Sequence, residues 1–154
     1  ATKKAIEVAL QTSEAYGQIG LLAVELFLTH GGEILVNEVA PRPHNSGHFS
    51  IEASYTCQFE QHIRAVFDMP LGKTESIVSA VMVNLVGKEG HTGPVVYKNI
   101  DQILEIEGVT PHIYGKKETR PFRKMGHVTI IHPKIDTARK MAKQVKETLS
   151  VISK

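Results

Sequence analysis

The sequence has too little of several features to belong to the protein classes that depend on them. Its single cysteine, Cys57, cannot form an internal disulfide, and this favours a reducing, cytoplasmic setting. No apolar run is long enough to span a membrane, and no secretory signal is present. A net charge of +2 over 154 residues is too small to indicate nucleic-acid binding. Because a Walker A motif and a glycine-rich dinucleotide fingerprint are also absent, any nucleotide must bind through another architecture.

The hydrophobic periodicity predicts an α+β protein in two parts. Residues 1–74 combine helices with an antiparallel hairpin, and residues 75–154 form a smaller β-rich domain with a terminal helix. Two prolines and Gly47 predict that residues 40–48 have no regular structure. The predicted elements are a helix over 2–16 that ends at Gly17, a hairpin over 20–40, a helix over 55–68, strands over 77–84, 111–114 and 127–131, a short helix within 99–107 and a helix over 137–150 with Asp136 as its N-cap.

Two glutamates lie in otherwise apolar segments that flank Gly31-Gly32. Segments 21–27 and 34–40 are short and apolar, so they predict the two strands of a hairpin. Suppose that Gly31 and Gly32 are the centre of the turn. The numbers of any two opposed residues then have the same sum as the numbers of these two glycines. Glu25 and Glu38 meet this condition, so they face each other across the hairpin. Such carboxylates repel each other unless a cation lies between them, as Mg²⁺ does in nucleotide sites. The alternatives are two solvent-facing glutamates, or a three-residue turn that separates them onto opposite faces.

The segment directly after Glu38 is dense in hydrogen-bond donors. Its polar residues are Arg42, His44, Asn45, Ser46 and His48. The planar guanidinium of Arg42 suits a phosphate or a carboxylate, so the segment predicts an anionic or polar substrate; a plain surface loop is the alternative. The two histidines lack a third ligand at the spacing that a zinc site requires. Cys57 has no base beside it and is interpreted as structural.

A second candidate is the basic segment from Tyr114 to His127. Five basic residues stand against the single acid Glu118, and Pro121 prevents a helix. The five are Lys116, Lys117, Arg120, Arg123 and Lys124. A segment of this kind can clamp a phosphorylated ligand, and a solvated charged face is the alternative.

Several motifs follow one another in an informative order. They are Ala23–Phe27, Val36–His48, Gln58–His62, Pro70–Gly72 and Tyr114–His127. In this order they resemble the N5-carboxyaminoimidazole ribonucleotide synthetase family of ATP-grasp ligases. The resemblance implies that residues 1–74 are the C-terminal part of an ATP-grasp domain and that residues 75–154 are the family's small C-terminal domain.

The same resemblance implies a reaction, in which bicarbonate is activated by ATP as carboxyphosphate and carboxylates 5-aminoimidazole ribonucleotide in purine biosynthesis. It also implies Mg²⁺ or Mn²⁺ as the metal and a homodimer for the full-length protein, without nucleic acid or membrane. By position in the motifs, Glu25 and Glu38 match the family's metal ligands, and Asn37 and Glu38 match its ATP contacts. Arg42 and His44 match catalytic residues, and Asn45 and Ser46 match residues of the substrate pocket. Lys116 and Arg123 match the residues that hold the 5′-phosphate. Lys117, Arg120 and Lys124 are further candidates for contact with that phosphate.

The chain opens at Ala1 directly before a predicted helix, and its motifs match only the C-terminal portion of the family's length. We therefore expect a fragment without the preATP-grasp domain and the lid, inactive alone. Two alternatives remain open. One is another ATP-grasp carboxylate or amine ligase, which would share the glutamate pair but not the whole string from Asn37 to His48. The other is a non-catalytic module that binds a phosphorylated ligand through the basic segment.

Overall fold

A computed structural model describes all 154 residues, which divide into two compact units. The first unit comprises residues 1–51 and 55–75, and the second comprises residues 52–54 and 76–154. No helix combines the length and the apolar character that crossing a bilayer requires. The elements in chain order are α1 (Thr2–Tyr16), β1 (Ala23–Leu28), β2 (Ile34–Ala40), a 3-10 turn (Asn45–Gly47), α2 (Ser50–Ala53), α3 (Gln58–Val66), β3 (Ala80–Val86), β4 (Gly93–Lys98), α4 (Ile100–Leu104), β5 (Val109–Ile113), β6 (Glu118–Thr119), β7 (Lys124–Ile131), α5 (Ile135–Thr148) and β8 (Ser150–Ser153).

The first unit is built from α1, the β1–β2 hairpin and α3. As predicted, α1 ends before Gly17, which adopts the left-handed conformation (φ 56°) and donates its N–H to Glu14 O at 3.1 Å. The predicted second helix is shorter than its apolar pattern suggests. It begins at Gln58 because Cys57 has an extended backbone, with φ −75° and ψ 163°. The pattern over 55–68 therefore overestimated this helix at its start.

The second unit contains two three-stranded antiparallel sheets, ordered β3-β7-β5 and β6-β4-β8. Strand β7 is central, and Val128 and Ile130 are fully buried in the hydrophobic core. The helix α5 contributes Ala138 and Val145 to the same core, since its apolar residues recur at helical spacing. Burying a valine or isoleucine side chain contributes about 1.5–3 kcal/mol to the stability of the fold. This core therefore stabilises the sheet on which the basic segment begins and ends.

Three local predictions need correction. Asp136 is not the N-cap of α5: the cap is Lys134, and Asp136 lies in the first turn, where it pairs with Arg139 at 3.1 Å. A carboxylate there still favours the helix, because the N-terminus carries positive partial charge. Residues 40–48 are not wholly irregular, since Asn45–Gly47 forms a 3-10 turn. The strands β4, β6 and β8 are not predicted from the sequence. Strand β4 begins with Gly93 and Pro94, which are depleted in strands, and β6 and β8 have only two and four residues.

Candidate functional site

The β1–β2 hairpin brings Glu25 and Glu38 into register, as predicted. The turn itself differs from the prediction, because it has three central residues rather than two. Thr29 N–H donates to Glu33 O at 3.0 Å, and the next pairs follow the register of a three-residue turn. Between Leu26↔Val36 and Glu25↔Glu38 the register shifts by one residue. Asn37 is the extra residue of a β-bulge, and this bulge restores the facing glutamate pair.

The bulge also directs Asn37 toward the carboxylates. Its Nδ2 lies 3.4 Å from Glu25 Oε2, so the amide and the two acids occupy one face. Glu25 is half-buried and Glu38 is exposed. Bulges are frequent beside active sites because they re-aim a side chain. The three predicted metal and nucleotide residues of the hairpin therefore lie together.

His44 joins this group from the following loop. Its Nε2 lies 3.6 Å from Glu25 Oε1, while its Nδ1 lies 2.9 Å from Ser46 Oγ and 3.4 Å from Ser46 N. A backbone N–H can only donate, so Nδ1 is the acceptor, and the proton of the neutral ring resides on Nε2. His44 therefore presents an N–H toward Glu25, which is the geometry of a proton donor rather than of a metal ligand.

The cluster fits a divalent cation. Ligand atoms of Glu25, Glu38 and His44 all lie within 4.8 Å of one another. Two like charges at facing strand positions are destabilising, and a cation between them removes the repulsion. Because His44 offers a proton at the atom that faces the acids, the two carboxylates are the groups in this cluster that could hold a cation. Mg²⁺ prefers such hard oxygen donors.

The loop residues after the hairpin are held in different ways. Arg42 is exposed, and its Nη1 donates to Pro43 O at 3.1 Å, which leaves the outer part of its guanidinium open to solvent. Ser46 is exposed beside the His44 ring. The Nδ2 of Asn45 is buried and has no hydrogen-bond partner. An unpaired buried donor is costly, so this atom is suited to an acceptor on a bound ligand.

Gln58 anchors this loop, a role that its place in the Gln58–His62 motif does not predict. Its Oε1 accepts from His44 N at 2.9 Å, and its Nε2 donates to His44 O at 2.8 Å. The same Nε2 lies 2.7 Å from His48 Nδ1. Gln58 is 8% exposed, and a Cβ added at Gly47 would lie only 2.6 Å from its Oε1. No periodicity identifies such a residue, because its role depends on contacts fourteen residues away.

In the second unit, the two ends of the basic segment are hydrogen-bonded to each other, and its middle is held by backbone contacts with neighbouring segments. Tyr114 N–H donates to Met125 O at 3.0 Å, and Tyr114 Oη lies 3.0 Å from His127 Nδ1. Residues 118–119 form β6 and pair with β4. Phe122 N–H donates to Gly87 O at 2.9 Å, and a Cβ at Gly87 would lie 2.1 Å from Arg120 O. Glycine at position 87 therefore allows the close backbone approach that holds this segment.

The five cations of the segment fall into two groups. Lys116 and Arg123 are half-buried, and each is bound to a backbone carbonyl: Lys116 Nζ donates to Lys124 O at 2.6 Å, and Arg123 Nη1 donates to Glu118 O at 2.9 Å. The other three, Lys117, Arg120 and Lys124, are exposed. The two cations predicted to hold a phosphate are thus the two with positioned side chains, which lowers the entropy that binding would cost.

Two family models match the chain. Residues 1–59 match the ATP-grasp domain, and residues 80–141 match the phosphoribosylaminoimidazole carboxylase C-terminal domain. The first match contains the Glu25–Glu38 pair and the His44 loop. The second contains the basic segment. The chain therefore joins two modules in the order that the motifs predict.

Known relatives match most of the chain, but the chain covers only part of each. The N5-carboxyaminoimidazole ribonucleotide synthase of Bacillus subtilis is 46% identical over 84% of this chain and 32% of its own length. The crystal structure of the N5-carboxyaminoimidazole ribonucleotide synthetase from Thermotoga maritima superposes with a TM-score of 0.91 at 52% identity, over 99% of this chain and 42% of that chain. The synthase from Aspergillus clavatus, solved with ADP and 5-aminoimidazole ribonucleotide, gives a TM-score of 0.81 at 30% identity, over 94% of this chain and 39% of that chain. The chain thus spans about a third of the Bacillus subtilis relative's length.

Proposed function

Because the chain belongs to the N5-carboxyaminoimidazole ribonucleotide synthetase family of ATP-grasp ligases, we propose that it serves as the C-terminal part of an enzyme that carboxylates 5-aminoimidazole ribonucleotide with ATP and bicarbonate. The observation that carries the proposal is the cluster of Glu25, Asn37, Glu38 and His44, set by a β-bulge on a hairpin that matches the ATP-grasp model. In this role the enzyme acts in purine biosynthesis in the cytoplasm, where a reducing environment suits the lone Cys57. The homodimer stays a prediction from the family resemblance.

The first unit is proposed to manage the triphosphate. Glu25 and Glu38 hold Mg²⁺, and Asn37 contacts the nucleotide beside them. Mg²⁺, when bound, neutralises charge on the phosphates and aligns them for transfer. A bicarbonate oxygen then attacks the γ-phosphorus, the bond to ADP breaks, and carboxyphosphate forms. The open side of the Arg42 guanidinium stabilises the charge that develops on the transferring group.

The loop between the hairpin and α3 is proposed to manage the carboxyl group. The unpaired Asn45 Nδ2 donates to a bicarbonate oxygen, and Ser46 lines the same pocket. The Nε2–H of His44 is directed to the reacting carboxyl group or to Glu25. The amine of the ribonucleotide attacks the carboxyl carbon, the bond to phosphate breaks, and the amine loses a proton. His44 orients the acceptor and exchanges this proton.

The second unit is proposed to hold the 5′-phosphate of the ribonucleotide through Lys116 and Arg123. Both side chains are half-buried and fixed by backbone carbonyls, and each retains free donors for phosphate oxygens. The exposed Lys117, Arg120 and Lys124 contribute general positive potential. This division assigns the direct contacts to two residues of the five.

The proposed function is tested by assaying a full-length enzyme that carries this chain. ATP consumption is expected to require both 5-aminoimidazole ribonucleotide and bicarbonate, and labelled bicarbonate is expected to enter the product. ATP consumption with a different amine acceptor instead would favour another ATP-grasp ligase. Ribonucleotide binding without any ATP turnover would favour the non-catalytic binding module.

Arg123→Ala in that enzyme is expected to raise the KM for the ribonucleotide about tenfold while kcat changes little. The variant removes a charge-assisted contact to a phosphate that is distant from the reacting amine. Steady-state kinetics with varied ribonucleotide measure the effect. Arg139→Ala, which removes an exposed arginine of α5, is the control and is expected to leave KM unchanged. An unchanged KM in Arg123→Ala would remove this residue from the site.

A further inference from the structure

The second unit carries a row of polar side chains, with the buried His127 at its centre, that the proposed chemistry does not use. Across the sheet β3-β7-β5, Asn84 pairs with His127, and His127 pairs with His112. His127 is 2% exposed, although the hydrophobic core of the sheet contains its neighbours Val128 and Ile130. Polar side chains are costly to bury unless they are hydrogen-bonded, so a row of this kind needs a reason beyond packing.

The row continues as a chain of contacts in both directions from His127. Its ring is stacked on His112, with the ring centres 4.4 Å apart and the planes inclined by 12°. His112 Nε2 lies 2.6 Å from Glu52 Oε1, and the Glu52 side chain is 14% exposed. On the other side, Tyr114 Oη lies 3.0 Å from His127 Nδ1. Four side chains, from Glu52 to Tyr114, are thus in unbroken contact.

The carboxylate of Glu52 orients the side chains that follow it in this series of contacts. Glu52 Oε2 is buried without a hydrogen-bond partner, so the interaction with His112 is the main compensation for its burial. That dependence fixes the orientation of the His112 ring. The stacked arrangement in turn limits the orientations available to His127. The hydroxyl of Tyr114 therefore contacts the imidazole of His127, whose orientation depends on His112 and, through it, on Glu52.

The series of contacts that starts at Glu52 ends at the basic segment. Lys116 Nζ lies 5.8 Å from the centre of the Tyr114 ring, within the range of a cation–π contact. Tyr114 opens the segment and His127 closes it, so their hydrogen bond joins the two ends. A change at this bond would shift the backbone next to Lys116. The row thus ends on the half-buried lysine that the proposed function assigns to phosphate.

We propose that Tyr114 and His127, supported by His112 and Glu52, are positioning residues that hold Lys116 in its phosphate-binding geometry. The inference rests on the proposed function, because it takes the 5′-phosphate as the ligand of Lys116. The four residues contact one another, Tyr114 alone contacts the lysine, and the proposed function gives none of them a role at the reacting atoms. Their contribution is therefore specific to the phosphate group of the substrate and independent of the chemical step.

The test compares two substrates in the full-length enzyme that carries this chain: 5-aminoimidazole ribonucleotide and its dephosphorylated nucleoside. Tyr114→Phe is expected to raise the KM for the ribonucleotide about fivefold, with kcat within about twofold of the wild type. Its kcat/KM for the nucleoside is expected to be unchanged, because that substrate has no phosphate to position. A KM that is unchanged, or an equal loss on both substrates, would overturn the proposal.

Two further variants separate positioning from general loosening. Tyr97→Phe removes another hydroxyl that donates to the same segment, at Met125 O, and is expected to leave both substrates unaffected. An effect equal to that of Tyr114→Phe would contradict the proposal. Glu52→Gln is expected to raise the ribonucleotide KM about threefold, and less than additively in combination with Tyr114→Phe. Full additivity would show that the row does not act as a unit.

The outcome for the proposed function is visible separately. A wild-type enzyme that consumes no ATP with the ribonucleotide overturns the proposed function, and this inference falls with it. A wild-type enzyme that does so, together with a silent Tyr114→Phe, overturns only the positioning role. Thermal unfolding of each variant shows that the kinetic comparison is made on folded protein.

Discussion

Glu38→Gln, made in a full-length enzyme that carries this chain, is expected to lower the rate of ATP turnover about a thousandfold, equivalent to about 4 kcal/mol in activation free energy. The substitution keeps the size of the side chain and removes one of two facing carboxylates. A neutral amide is a much weaker ligand for Mg²⁺ than a carboxylate. ADP release in the presence of saturating ribonucleotide and bicarbonate measures the loss.

The stability of the same variant distinguishes a ligand from a structural residue. Without metal, removal of one of two opposed like charges is expected to leave the fold equally stable or slightly more stable. With nucleotide and Mg²⁺ present, the wild type is expected to gain thermal stability and the variant to lose most of that gain. Glu33→Gln, which changes an exposed glutamate in the turn of the same hairpin, is the control and is expected to retain full activity. Normal ATP turnover in Glu38→Gln would remove the metal assignment.

The glutamate pair shows how a sequence rule can reach a correct result through an incorrect intermediate. The rule assumes a two-residue turn, whereas the hairpin has a three-residue turn and a bulge at Asn37. Each feature shifts the register by one residue, and together they cancel. A bulge leaves no local signal, because Asn37 is as polar in a bulge as at a regular solvent-facing position. The facing pair was predictable, but the device that creates it was not.

Helix boundaries and site contacts also differ in how far the sequence predicts them. Gly17 ends α1 as predicted, since a left-handed C-cap strongly favours glycine at that position. The Gln58 contacts and the stacked pair of His112 and His127 depend instead on residues that only the tertiary fold brings together. Chemistry carried by a contiguous motif is thus accessible from sequence. Chemistry that depends on a buried polar contact between distant segments requires the structure.

Gln58→Leu is expected to lower kcat about a hundredfold in the full-length enzyme, although the proposed function gives Gln58 no contact with substrate. The variant has a similar volume but cannot hold the backbone of His44 through both its N–H and its carbonyl. These two groups are left to find other partners, and the fold is destabilised by roughly 2–4 kcal/mol. The imidazole then loses the fixed direction that its Nε2–H requires. Steady-state kinetics on protein shown to be folded by circular dichroism measure the effect.

Gln61→Leu provides a matched control within the same helix α3. Gln61 accepts from Gly72 N at 2.7 Å and donates to Gly72 O at 2.8 Å, so it makes the same pair of contacts at a position away from the His44 loop. Both variants are expected to lose similar thermal stability, and only Gln58→Leu is expected to lose kcat. Equal kcat losses would assign the effect to general destabilisation of the first unit. A large loss in Gln58→Leu alone would show that catalysis depends on the loop that Gln58 holds through His44 and His48. Both substitutions remove an equivalent pair of backbone hydrogen bonds, and only Gln58→Leu also removes a contact with His48 Nδ1.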